Sequence, residues 1–252
     1  MPLVTDPALC LRRTDYSETS QILTLFTRQH GLLRVIAKGA RRVTKAGKGK
    51  FDGGIDLLDT GQATFTLAPD KDLATLTEWQ LAEGHRDLRA DWRSLTLALY
   101  AAELVPLVFE EHDPQPDVFT HLYKLLRRLR HEGREAAMLL FLVDLLRRAG
   151  LLPELHACVV TGQRITAGTV GGFSPGRGGM LSHEGTHGVG DVFRLEPDTW
   201  QRLVWLASAV QRDDVPARAP RIDRQQATPV HALLVRYLEH ALGRRLRVPK
   251  YL

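Results

Sequence analysis

Two cysteines in 252 residues, Cys10 and Cys158, are too few to staple a secreted disulfide scaffold. No apolar run reaches the roughly 18 residues that cross a bilayer. The opening stretch MPLVTDPALC has neither the charged region nor the long apolar region of a secretory leader. A soluble, cytoplasmic protein with no membrane partner is expected. Acids are missing too, but only locally: from Arg28 through Lys50 the chain carries eight Lys or Arg and no Asp or Glu. The formal net charge of +5 is modest, and that clustering is what gives it meaning. The rest is ordinary for a globular chain with a real core, at 44% hydrophobic and 25% charged residues. The length suits roughly two domains.

The first eighty residues have the period of strands. SQILTLFT (20–27) alternates, with Ile22, Thr24 and Phe26 on one face and Leu23 and Leu25 on the other. LLRVIAKG follows QHG, a hairpin signal in which Gly31 supplies the turn dihedrals. PALCLRRTD, GQATFTLAP (61–69) and LATLTEWQL (73–81) complete about five short strands, a set that closes into a small barrel of the OB or SH3-like kind. After Trp79 the period becomes helical, over 93–111, 117–133 and 135–152, with breaks at Gly133 and Gly150. A last helix is predicted to open with Thr228 as N-cap and Pro229 at its first position, and to stop at Gly243. Between the helices lies a stretch with ten glycines from 162 to 190. The expected class is α+β: a barrel over 1–80, then a helical domain over 81–252 with a glycine-rich insertion at about 155–195.

The densest positive charge sits in AKGARRVTKAGKGKFDGG (37–54), six Lys or Arg among five glycines. It is not a nucleotide-hydrolysing phosphate loop. Seven residues, not four, separate Gly39 from Gly47-Lys48, and Gly49 stands where the magnesium-binding hydroxyl belongs. Two readings stay open. The segment is a solvated loop, or Lys38, Arg41, Arg42, Lys45, Lys48 and Lys50, with Arg34 on the strand before them, lie along a phosphate backbone. Tyr16, Phe26 and Phe51 are candidates for base stacking, with the barrel core as the alternative for each. A second basic concentration, Arg218 to Lys250, has eight Lys or Arg against Asp223 and Glu239.

HEGTH (183–187) matches the zinc-peptidase pattern, whose two imidazoles must share one face of a helix. Gly185 inside it and Gly178, Gly179, Gly188 and Gly190 around it oppose a helix. A structural zinc site needs four nitrogen or sulfur donors. Here the candidates are Cys158 with His156, His183 and His187, against the alternative of a metal-free loop. In KLLRRLR (124–130), Arg127, Arg128 and Arg130 beside Leu125, Leu126 and Leu129 would suit an acidic partner peptide with an apolar end. The alternative there is an ordinary amphipathic helix with a basic solvent face.

LCLRRTDYSETSQILTLFTRQHGLLRVIAKGARR (9–42) resembles the N-terminal signature of the RecO recombination mediators. Leu11, Arg12, Asp15, Tyr16 and Glu18 match its opening, and Thr27, Gly31 and Ala37 through Arg42 its close. YAAELVPLV (100–108) and CVVTGQ…FSPGRGGMLS (158–182) continue the likeness over most of the chain. The resemblance implies an OB-fold, a helical bundle and a zinc-ribbon-like insertion. It also implies binding of single- and double-stranded DNA, annealing of complementary strands, and help in loading RecA onto strands coated by the single-strand-binding protein SSB, with RecR as partner. It brings no catalytic residue. The family's C-x-x-C-G…C-x-x-C metal motif is broken here, since Thr161, Ser182 and Gly185 replace three cysteines. An insertion that keeps its shape without a cofactor is expected, with HEGTH as the remnant of the second cysteine pair.

Overall fold

The computed structural model describes residues 3–40, 51, 54–67, 73–211 and 221–251. They form two compact units, Met1–Arg130 and His131–Leu252. Among the described residues no helix is long and apolar enough to cross a membrane.

In the first unit five strands close on themselves. They are β1 (Leu3–Asp15), β2 (Gln21–Thr27), β3 (Gly31–Ala37), β4 (Thr60–Thr66) and β5 (Ala74–Glu83). Their order round the barrel is β1-β2-β3-β5-β4, with β1 antiparallel to both β2 and β4 and β3 parallel to β5. That order is the Greek key of an OB-fold, which removes the SH3-like alternative. The alternation seen in the sequence fills the interior: Cys10, Leu23, Leu25, Leu33, Val35, Phe65 and Trp79 all point inward and are buried. The β2–β3 turn needs its glycine twice over. Gly31 has φ +68°, and a Cβ there would strike the Asp113 backbone. Asp6 of β1 fastens the turn, its carboxylate accepting the Gln29 N–H (2.8 Å) and lying 2.7 Å from His30 Nδ1.

Two helices belong to the same unit. In α1 (Trp92–Val108) the Asp91 side chain caps the start by accepting the Arg93 and Ser94 N–H groups; α2 spans Pro116–Arg128. α2 stops five residues before Gly133, the end expected from the apolar stripe. Phe26, on the outer face of β2, is fully buried, its ring 5.9 Å from that of Phe119 in α2. It is a core residue and has no face for a base. Phe51 is buried in the barrel and is core as well.

The second unit holds α3 (Arg134–Arg148), a hairpin of β6 (Val170–Ser174) and β7 (Gly179–Ser182), α4 (Pro197–Gln211) and α5 (Arg224–Ala241). Every residue of α3 from Glu135 through Leu146 is buried. Neighbouring chain borders both sides of the hairpin. Phe173 exchanges two backbone bonds with Phe193 (2.8 Å each), and Met180 exchanges bonds with Glu154 and Val159 (2.9 Å each). α5 begins four residues before the predicted Thr228 N-cap. Asp223 is the cap, its side chain accepting the Gln226 N–H (2.8 Å) while the Gln226 side chain accepts the Asp223 N–H (3.2 Å). Thr228 instead donates its hydroxyl to Arg224 O (2.8 Å), and Pro229 lies inside the helix.

Candidate nucleic-acid interface

A bulge in β1 decides which cations reach the barrel's outer surface. Cys10 pairs with Leu25 and points inward, but the register shifts at Leu11, so that Arg12 pairs with Thr24. Thr24 in turn pairs with Arg34. In a regular strand Arg12, two residues after the inward Cys10, would face the interior; the bulge instead puts Arg12, Thr24 and Arg34 in one outward row across three strands. The next row is Thr14, Ile22 and Ile36. Lys38 follows at the end of β3, exposed like Arg12 and Arg34. Among the described residues none of these three cations is ion-paired.

An aromatic borders the same face. Tyr16 lies in the β1–β2 turn, 65% exposed. The turn is held by its own backbone: the Tyr16 and Ser17 N–H groups both reach Ser20 O (3.0 and 3.2 Å), and Ser17 Oγ accepts the Ser20 N–H (3.1 Å). OB barrels take extended ligands on the outer face of β2–β3, between the β1–β2 and β4–β5 loops. Cations, two half-buried isoleucines and an exposed ring therefore share the place where the fold receives an oligomer.

The other basic-segment residues, Arg41, Arg42, Lys45, Lys48 and Lys50, lie outside the described residues. The residues on either side do not: Ala40 and Phe51 are both buried in the barrel core. The barrel's mouth is electrically different. There Arg13 and Arg89 both bind the Asp56 carboxylate (2.9 and 2.7 Å). Burial, followed by the Asp59 charge, pushes the Cys10 thiol beneath them up to about 12.

Arg127, Arg128 and Arg130 do not share one free face. Arg130 is only 19% exposed and donates to Glu83, to His85 Nδ1 (2.6 Å) and to Asp87 (3.4 Å). Arg127 stacks over the Tyr123 ring at 5.8 Å, with Glu83 4.0 Å away, and Arg128 is half-buried. Leu125, Leu126 and Leu129 are all buried, so they offer a partner peptide no apolar surface. Burial pushes Glu83 up, but the hydrogen bond from Arg130 and the neighbouring His85 and Tyr123 hold it below the usual carboxylate range. Burial carries His85 down to about 4, and the Arg130 charge works in the same direction.

The suggested metal donors are also placed. HEGTH forms a single 3-10 turn, Glu184–Thr186, so its two imidazoles do not share a helix face and the peptidase geometry is absent. His156, His183 and His187 are exposed, while Cys158 is buried. No three metal-binding side chains converge among the described residues. The residues that do meet are Cys158, Thr161, Ser182 and Gly185. One thiol, two hydroxyls and a glycine are a poor donor set for zinc.

Comparison with known proteins places both halves of the chain in one family. Residues 1–85 match the family described as Recombination protein O N terminal, and residues 89–250 match Recombination protein O C terminal. Curated relatives carry the name DNA repair protein RecO. The protein from Anaeromyxobacter dehalogenans (strain 2CP-C) is 32% identical over 247 residues, covering 96% of this chain and 92% of the relative. That from Salinibacter ruber is 35% identical over 184 residues, 73% of this chain and 69% of the relative. That from Bacillus pumilus is 34% identical over 166 residues, 64% and 61% respectively.

Proposed function

The chain belongs to the RecO family of DNA repair proteins, and from that premise we propose that it binds single- and double-stranded DNA and anneals complementary strands. We further propose that it helps load RecA onto SSB-coated single strands together with RecR, in the cytoplasm at the nucleoid. The observation that carries the reading is the outer face of the barrel: Arg12, Arg34 and Lys38 are exposed there, beside Tyr16, and among the described residues none of them is ion-paired.

The work assigned to this face is electrostatic. Two complementary strands repel each other through their phosphates, and a cationic surface lowers the cost of bringing them together. Contacts to phosphate are blind to sequence, as an annealing protein requires. Arg41, Arg42, Lys45, Lys48 and Lys50 extend the charge from the end of β3. Tyr16 supplies a π-face to an unpaired base and none to a stacked duplex, which favours the single strand at the start of the reaction. No bond is made or broken, so the reading includes no catalytic residue and no cofactor.

The test is binding of a labelled oligonucleotide across a salt series by wild type and by the Arg12→Ala/Arg34→Ala/Lys38→Ala variant, with strand annealing followed in parallel. Each lost phosphate contact on a single strand removes about 0.7 from the slope of log affinity against log salt, so the variant's slope falls by about two. An unchanged slope and unchanged annealing rate would overturn the assignment of this face.

A further inference from the structure

The glycine-rich ribbon of the second unit has two turns, Cys158–Thr161 and Ser182–Gly185, where the resemblance to RecO implies the paired cysteines of a metal motif. In the first turn, Cys158 Sγ accepts the Thr161 N–H (3.5 Å), and the Gly162 N–H reaches Cys158 O (2.8 Å). In the second, Ser182 Oγ accepts the Gly185 N–H (3.1 Å). Both are built alike, each curling round a side-chain acceptor through the N–H three residues on. β7 holds them together, since the Val159 N–H donates to Met180 O (2.9 Å).

What lies between the turns is decided by Gly185. A Cβ added there would sit 2.5 Å from Cys158 Sγ, 3.2 Å from Ser182 Oγ and 3.8 Å from Thr161 Cγ2. A tetrahedral zinc site needs room for the ion and for four donors about 2.0–2.3 Å from it. In this ribbon the sulfur instead lies against Gly185 of the opposite turn, and Cys158 is only 2% exposed.

We propose that the ribbon is a metal-free knot, in which Cys158 Sγ fills the space that a zinc ion takes in a four-cysteine ribbon. Residue 185 is glycine because any side chain there would collide with that sulfur. Hydrogen-bond donors on the side chains and backbones of Thr161 and Ser182 surround the sulfur. A sulfur ringed by donors satisfies both turns, so the knot closes without a cation. Its stability is therefore indifferent to chelators.

Two measurements on the full-length chain test this. The first is zinc content by mass spectrometry after purification from zinc-supplemented cells, with thermal unfolding in the presence and absence of a chelator. The knot predicts no stoichiometric zinc and no change in Tm; one zinc per chain with a chelator-sensitive Tm would overturn it. The second is a double-mutant cycle. Gly185→Ala should lower Tm on the order of 5 °C by overpacking. Adding Cys158→Ala removes the colliding sulfur, so the double variant should melt no lower than Cys158→Ala alone. A neutral Gly185→Ala, or losses that simply add, would overturn the collision. Should Gly185→Ala fail to fold, recovery of a folded chain in the double variant supports the knot, and no recovery overturns it.

Discussion

Acidification from pH 7 to pH 4 should destabilise the barrel unit through one side chain, His85. The ring is buried between Tyr123, 6.1 Å away, and Thr60, whose hydroxyl lies 3.0 Å from Nε2. Arg130 donates to Nδ1 at 2.6 Å, which places the ring's proton on Nε2, facing Thr60. A second proton would have to go on Nδ1 and set N–H against N–H. Glu83, 3.7 Å away, recovers part of that cost, and burial with Arg130 still carries the ring down to about 4 from an ordinary 6.5. The folded value lies below the unfolded one, so the fold prefers the neutral ring. The contribution is whole above pH 6.5 and is lost as pH falls towards 4. At about 1.4 kcal/mol per pH unit, the loss comes to about 3 kcal/mol.

The control is His85→Asn, which removes the titration. Asparagine tolerates the left-handed backbone at this position, where φ is +43°. Urea unfolding of both chains at a series of pH values cancels the acid-labile groups they share. The stability of wild type relative to the variant should fall by about 3 kcal/mol between pH 7 and pH 4. Parallel curves would refute the account, because they would show that His85 takes its proton alike in both states.

Tyr16→Ala should weaken single-strand binding by about 1–3 kcal/mol without altering the salt slope, and leave duplex binding almost unchanged; oligonucleotide titrations at two salt concentrations separate these outcomes. Asp223→Ala should cost about 1 kcal/mol by removing the cap of α5, visible in thermal melts, whereas Thr228→Ala should stay within about 0.5 kcal/mol.

Much of the barrel was legible because its strands are two-faced. In β2, Leu23 and Leu25 alternate with Ile22 and Thr24, and a period of two admits few other structures. Closure into the OB order was legible only as one of two barrels, since register is a property of pairs of strands. Arg12 shows the limit most clearly. Its exposure depends on a one-residue bulge at Leu11, and nothing in the run CLRRTD marks which residue is the extra one. Arg130 failed for a related reason. Beside Arg127 and Arg128 it has the look of a solvent-facing cation, but its partners Glu83, His85 and Asp87 lie more than forty residues away in sequence. The start of α5 is written in the sequence, beside a decoy. Asp223 and Gln226 stand at capping-box spacing, and Thr228-Pro229 imitates a cap and helix start five residues later. α4 was missed although Leu203, Leu206, Ala207 and Val210 keep a helical period.

The bordered sheets also limit how this protein can be approached. A sheet with a free margin is a template: another chain can add a strand to it through backbone bonds alone, and so can a misfolded copy of the same protein. Here the barrel has no first or last strand, and Phe193 on one side and Glu154 and Val159 on the other occupy the hairpin's margins. Among the described residues the barrel has no end strand and the hairpin is bonded on its two sides at Phe173 and Met180, which narrows the margin for β-augmentation and shifts recognition towards side chains. It follows that single charge reversals on a partner's surface should suffice to separate one interaction of this chain from another.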